Sequence, residues 1–298
     1  MNKWSWLLLI VLCWAGAGFA IFGVPRNQNH ADVPLPAKTG RIVSMAPNVT
    51  EILFALGLGG EVVAVSNDSD YPLKASDREK TGTFWQPNVE AVIAAKPDLV
   101  ITLGFSQQRD LAQRLNRIGH RCLTLNIEKV SELFRAIRKV GEVTGSKSQA
   151  DALTIHIRER LHNLSALTGK EEKVRVLYVV QREPLRVAGR DTFINEMIEL
   201  AGGENAISTT IHRYPPIGAE QVIASRANVI IEPTMGRENL PEQQDKALQY
   251  WSRFKDIPAV INRRVYVIDG DTVSRLGPRL SEGVEKIAKC LRPELFTE

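Results

Sequence analysis

The sequence predicts an α/β protein of two Rossmann-like lobes, with mainly parallel sheets, joined by one long rigid helix. Three observations carry this reading. First, Ser146 to Gly169 places Ala150, Leu153, Ile157, Leu161 and Leu164 at steps of three and four, one face of a helix. Ser146 or Ser148 suits an N-cap and Gly169 a stop, and the span would be roughly 30 Å long. Second, Glu90-Ala-Val-Ile-Ala-Ala-Lys-Pro-Asp-Leu-Val-Ile101 before this helix is matched after it by Glu220-Gln-Val-Ile-Ala-Ser-Arg-Ala-Asn-Val-Ile-Ile231. Third, each of these helix-then-strand units follows an apolar strand and a helix ending in Gly: Arg41–Ser44 with Glu51–Gly57, and Val174–Val180 with Phe193–Gly202.

The elements follow in order. Residues 1–24 read as an export signal or an N-terminal membrane anchor. Met1-Asn-Lys3 is a short positive start, Trp4 to Val24 carries no charge, and Ala15-Gly-Ala17 and Gly18-Phe-Ala20 offer small-residue cleavage sites. The apolar run approaches the length that spans a bilayer. Cys13 lies early in that run after Leu12, which is not the setting of a lipid-modified cysteine. Residues 25–40, with three Pro in Pro25 to Thr39, read as a linker. The first lobe, 41–145, opens with strand Arg41–Ser44 and a helix Glu51–Leu56. Strand Glu61–Val65 leads into the turn-rich Ser66–Pro72, and Lys80–Trp85 into helix Val89–Ala95. Pro97-Asp98 ends that helix before strand Leu99–Leu103, which is followed by helix Arg109–Ile118, strand Cys122–Leu125 and helix Val130–Gly141. After the connecting helix, 146–169, the second lobe, 170–298, repeats the alternation through Val229–Glu232, Gln243–Phe254, Val265–Ile268 and Ser281–Leu291. Such alternation gives parallel sheets covered on both faces, whose ligands bind outside the carboxyl ends of the strands. A cleft between two such edges suits a large, mostly apolar ligand.

Composition bounds the function. The chain has 298 residues, 44% hydrophobic and 24% charged, with a net charge of +4. The charges are interspersed, so nothing points to nucleic acid. No Gly-x-Ser-x-Gly elbow, phosphate loop or Cys-x-x-Cys is present, and Gly57-Leu-Gly-Gly60 precedes a strand instead of following one. The five His are scattered, and Asp68 and Asp70 fit a turn better than acid–base chemistry. No enzyme, cofactor or metal site is expected. Beyond the N-terminal segment only Cys122 and Cys290 remain, read as two buried thiols without a disulfide.

Four stretches carry a resemblance: Arg41-Ile-Val-Ser-Met-Ala-Pro-Asn-Val-Thr-Glu-Ile52; Ser69-Asp-Tyr-Pro72; Trp85-Gln-Pro-Asn-Val-Glu90 with Lys96-Pro-Asp-Leu-Val100; and Gly202-Gly-Glu-Asn205. Together they resemble the helical-backbone substrate-binding proteins of ABC importers, over nearly all of Arg41 to Leu291. The resemblance is greatest to members that carry cobalamin, while ferric siderophore and haem receptors share the fold and several motifs. It implies a periplasmic protein, exported by its N-terminal segment or anchored to the inner membrane through it. It also implies a corrinoid such as cobalamin bound between lobes that move little, as transported ligand and not as cofactor. Tyr71 and Trp85 match ring-contacting aromatics, Tyr214 falls where a Trp stands, and Asp271, Thr272, Val273, Ser274 and Arg275 fall on the second-lobe contact loop. Ala201 stands where a disulfide partner of Cys290 would be. Glu90 and Glu220 match the glutamates that dock such proteins onto arginines of the two permease subunits, which work with ATPase subunits.

Overall fold

The structure is a computed structural model that describes residues 40–169, 172–234 and 239–296. The N-terminal segment 1–24, and the linker up to residue 39, lie outside the described residues. In chain order the first part comprises β1 (Ile42–Ser44), α1 (Pro47–Ala55), β2 (Val62–Val65), α2 (Leu73–Ser76), β3 (Glu79–Lys80), α3 (Val89–Ala94), β4 (Leu99–Leu103), α4 (Ser106–Arg117), β5 (Cys122–Leu125) and α5 (Val130–Thr144). Its five strands are all parallel, in the order β3-β2-β1-β4-β5. β1 and β4 are buried throughout and carry apolar runs, as a parallel sheet covered on both faces demands. The direction of winding reverses between β1 and β4, the point where doubly wound sheets open a crevice at their carboxyl edge.

The long helix α6 (Lys147–Thr168) buries Ala150, Ile157 and Leu161, with Leu153 and Leu164 half-buried beside them. This is the apolar stripe read from the sequence. Gly141 of α5 lets the two helices close, since a Cβ there would stand 2.5 Å from that of Ala150. One apolar core runs from β1 and α5 through α6 into the second sheet. Burying a side chain such as Ile157 or Leu161 contributes about 1.5–3 kcal/mol. Both sheets thus lie in one compact unit, tied through a common core.

The second part comprises β6 (Val174–Arg182), β7 (Leu185–Val187), α7 (Phe193–Leu200), β8 (Gly203–Asn205), α8 (Ala219–Ala224), β9 (Val229–Pro233), α9 (Leu240–Trp251), α10 (Pro258–Ile261), β10 (Val265–Ile268), α11 (Gly270–Val273) and α12 (Leu280–Leu291). The order is β10-β9-β6, with parallel β8 beside the first half of β6 and antiparallel β7 beside its second half. β7 and β8 are too short to show a period in sequence, and β7 makes this sheet mixed. The loop expected after β10 holds the short helix α11.

Cys122 and Cys290 are free thiols, the first half-buried and the second buried; burial pushes both up to about 12. Ala201 is fully buried and offers Cys290 no sulfur partner.

Candidate functional site: a cleft bridged by ion pairs

The carboxyl edge of the first sheet presents an aromatic platform. Trp85, in the loop after β3, is 63% exposed and packs on Phe84 and Phe105 with ring centroids 4.9 and 5.4 Å apart. Phe105 follows β4 and meets Phe84 at 4.6 Å. Buried Gln108 of α4 holds this group together. Its Oε1 accepts from Leu103 N at 2.7 Å, while Nε2 donates to Met45 O at 2.7 Å and Phe84 O at 3.2 Å. Asp68 fixes the far side by accepting from Phe84 N at 2.7 Å. Gly82 makes the turn, with φ +90° and no room for a Cβ, which would lie 2.5 Å from Gln86 O.

Tyr71 stands in the neighbouring loop, 46% exposed. A buried set of hydroxyls pins that loop to the lobe. Thr50 Oγ1 donates to Ser44 Oγ at 2.8 Å or Ser69 Oγ at 3.0 Å, and Ser69 Oγ lies 2.8 Å from Ser66 Oγ. Asp68 and Asp70 are thus structural: one holds the Trp85 loop, and the other reaches the second lobe.

Two groups of ion pairs join the lobes at opposite sides. On the side of the β2 loop, Arg279 pairs with Glu51 through bonds of 2.6 and 2.9 Å and lies 3.9 Å over the Tyr71 ring. Arg275 pairs with Asp70 at 2.6 Å and with Asp271 at 3.1 Å. Asn48 Nδ2 also donates to Leu276 O at 3.1 Å. On the side of the β5 loop, Lys129 pairs with Asp191 at 2.5 Å, and Arg213 with Glu128 at 2.8 Å and Asp191 at 3.4 Å. Tyr214 follows Arg213 and is half-buried; burial raises its phenol, and the Glu128 charge adds to the rise. Its ring packs against the apolar core.

The electrostatics of the first bridge are mixed. Burial raises the Glu51 carboxyl above its ordinary value, and the bond and charge of Arg279 reduce the rise without cancelling it. At Asp70 burial also opposes ionisation, but the Arg275 hydrogen bond and charge outweigh it and the carboxyl ends below its usual range.

The second-lobe loop differs from expectation at two positions. Arg275 faces the first lobe, while Asp271 and Ser274 are exposed. Val273 is 0% exposed and belongs to the apolar core, and Thr272 is buried with its hydroxyl on Asp269 and Lys286. The expectation that Thr272 and Val273 line the cleft is corrected. α11 turns this stretch inward, so that alternate residues serve the core. Sequence reading did not assign Glu51, Phe84, Phe105 or Arg279 to the site. Phe105 directly follows a strand end, a signal that was available; Arg279 and Glu51 are far apart in sequence and gave none.

Glu90 and Glu220 are both exposed at the second position of α3 and α8. Neither forms an ion pair among the described residues. Their helices run against their strands, so both carboxylates stand at the carboxyl edges of the sheets. Asn88 caps α3 by accepting from Ala91 N at 3.0 Å, and Gly218 N of the other helix donates to Gln221 Oε1 at 2.8 Å.

A hollow of about 560 Å³ also opens in the second lobe, lined by Arg182, Glu183, Lys246, Gln249, Tyr250 and Arg253. None of its walls comes from the first lobe. Arg182 is taken up by buried Glu232 at 2.5 Å, and Arg253 lies 3.8 Å over the Tyr250 ring. The exposed aromatics Trp85 and Tyr71 lie apart from this hollow, on the first lobe.

Among the described residues no group of His, Cys, Asp and Glu is arranged to hold a metal, and no helix is long and apolar enough to cross a membrane.

Comparison with known proteins gives a consistent picture. Residues 42–272 match the family model described as periplasmic binding protein. The chain is 32% identical to an uncharacterized ABC transporter substrate-binding lipoprotein of Bacillus subtilis strain 168, over 99% of this chain and 98% of that one. The crystal structure of the periplasmic vitamin B12 binding protein of Vibrio cholerae is similar at a TM-score of 0.73 and 26% identity, covering 87% of this chain and 99% of that one. The periplasmic haem binding protein of Vibrio cholerae is similar at a TM-score of 0.75 and 25% identity, covering 85% and 99%.

Proposed function

The chain belongs to the periplasmic binding protein family, the substrate-binding components of ABC transporters, and from that premise we propose that it carries a cobalamin-type corrinoid in the aromatic cleft. It is a transport protein and not an enzyme. The observation that carries the ligand reading is the pairing of exposed Trp85 and Tyr71 on one lobe with Tyr214 on the other. Flat aromatic area suits the face of a large macrocycle, and packing of this kind adds to simple area burial. The likeness to the B12 binding protein supports the same ligand.

A haem is the second reading, favoured by one observation. Tyr71 is an exposed phenol with the Arg279 guanidinium against its ring, and a tyrosine is among the side chains that ligate haem iron. Visible spectra of the purified protein with cyanocobalamin, ferric haem and a ferric siderophore decide between them. One-to-one saturation by cyanocobalamin, recovered unchanged, is the expected result; saturation by haem or siderophore alone would overturn it.

In this reading the protein works outside the inner membrane, exported by its N-terminal segment or anchored through it. It delivers its ligand to a membrane permease dimer with ATPase subunits. Glu90 and Glu220 make the dock, as two matched carboxylates held apart on two lobes that share a core.

A further inference from the structure

Val92 of α3 and Val222 of α8 are fully buried and are the one buried side chain of each short helix. The next residue is isoleucine in both, and in both it faces outward: Ile93 is 37% exposed and Ile223 49%. The match runs further. Residues 90–97 and 220–227 have the same burial at every position but the second, with Glu, Ile, Ala and then a base, Lys96 or Arg226, exposed in each. Glu90, Ile93 and Ala94 stand at i, i+3 and i+4, which is one helix face, and Glu220, Ile223 and Ala224 stand on the equivalent face of α8. An exposed isoleucine adds nothing to either core and is a poorer helix former than Lys, Gln or Glu. A single apolar residue on a surface needs no explanation. The same one recurring beside the same acid on two lobes does.

Both lobes share one core in one compact unit, so the two strips are presented together. A surface that offers one recognition strip twice is matched by a partner that offers the complement twice, which is a dimer of identical subunits. The acid of each strip calls for a cation on that partner, and the isoleucine calls for an apolar hollow beside it. We propose that each dock is a strip and not a single charge: Ile93 and Ile223 each enter an apolar socket on one permease subunit, one helix turn from the cationic side chain that meets Glu90 or Glu220. The inference rests on the reading of Glu90 and Glu220 as the dock onto the permease dimer, and it divides the work between the two side chains. The carboxylates orient the approach and speed association, and salt screens them. The isoleucines hold the docked complex, because apolar burial carries no charge to screen and differences in contact fall mainly on dissociation. Ala94 and Ala224, exposed and small, let the partner's surface come close beside each isoleucine.

The test measures docking of the full chain on its permease–ATPase complex in lipid nanodiscs, for the parent, Ile93→Ser, Ile223→Ser and the double variant, at low and at raised salt. Each single variant dissociates about five- to tenfold faster, the worth of a partly exposed isoleucine that becomes buried. The double variant shows about the product of the two, since the sites share no contact. The ratio to the parent persists in raised salt, whereas association of the parent itself slows there. Ile93→Val with Ile223→Val recovers most of the loss, and every variant keeps the parent's melting temperature. Parental dissociation in the double variant overturns the inference alone and leaves the glutamates as the whole dock. A loss that disappears in raised salt, or one matched by a fall in melting temperature, also overturns it. If sedimentation shows the parent pairing with a second copy of itself and the double variant not, the occupant is that copy and the inference falls. A parent that does not dock on the permease complex overturns the docking reading and this inference with it.

Discussion

Lys96 and Arg226 hold the same left-handed backbone conformation, at φ 47° and φ 45°, each six residues after Glu90 or Glu220. Residues other than Gly pay about 1–2 kcal/mol for that region. What holds them there is also repeated. Arg41 donates to Ala95 O at 2.8 and 3.2 Å, and Arg175 to Ser225 O at 3.0 and 3.2 Å. Asp98 accepts from Arg41 N at 2.8 Å, and Asn228 from Arg175 N at 3.1 Å. α3 and α8 thus end in the same way before their strands, with a glutamate in the first turn of each.

Replacing Glu90 and Glu220 together by Lys is therefore expected to abolish transport in reconstituted vesicles while leaving ligand affinity intact. The single variants fall between, and raised salt weakens docking of the parent, because such pairs act mainly on orientation and association rate. Equal loss of ligand affinity would mean that the carboxylates serve the cleft instead.

Trp85→Ala and Tyr71→Ala each remove an exposed ring from the cleft wall. Ligand affinity should fall by roughly 1–3 kcal/mol in each, as for truncated interface aromatics. Calorimetry checks this; parental affinity in both variants would remove the cleft as ligand site.

Gly82→Ala tests the loop rather than the ring. The added methyl meets Gln86 O and Asn88 N at 2.5 and 2.7 Å on a backbone already at φ +90°. The turn must shift, and Trp85 with it. A loss of about 1–3 kcal/mol in stability is expected, the scale of a strained backbone site. Near-ultraviolet circular dichroism of Trp85 should change more than the far-ultraviolet spectrum, and an unchanged near-ultraviolet signal would contradict the account.

The two carboxylates of the first bridge titrate in opposite senses. Glu51 is raised, so the folded protein binds its proton more readily than the unfolded chain; its contribution to stability rises as pH falls from the folded value toward 4.5. Asp70 is lowered, so its contribution is full above 3.8 and is lost as pH falls through the folded value. Glu51→Gln should erase the part of the stability profile above pH 4.5, because the amide stands in for the neutral carboxyl and does not titrate. Denaturant unfolding across pH measures both, and an unaltered profile would show that Glu51 does not titrate there.

The sequence made the architecture legible because the architecture rests on long periodic signals. The stripe from Ala150 to Leu164 and the repeated Glu-x-Val-Ile-Ala units are statements about faces and order, which survive without coordinates. Tyr71, Trp85, Tyr214 and Arg275 were named from motif resemblance; Tyr71 and Trp85 are exposed on the first lobe, and Arg275 reaches that lobe through Asp70. Thr272 and Val273 were misjudged, because a four-residue helix has too few turns to announce which side faces inward. Glu51 and Arg279 were passed over for a different reason. Their meeting depends on how the lobes close, and a pairing across 228 positions leaves no local mark.

The path of the chain has its own consequence. Every strand of the first sheet lies between residues 42 and 125, every strand of the second between 174 and 268, and only α6 crosses from one to the other. A chain emerging amino-terminus first presents one whole sheet before the next begins, so early stretches need not wait long for distant partners. The exception is α12, which comes last and lays Glu285 3.0 Å from Arg160 on α6. Until it arrives the connecting helix keeps one flank bare, so covering α6 waits on the whole of the second lobe.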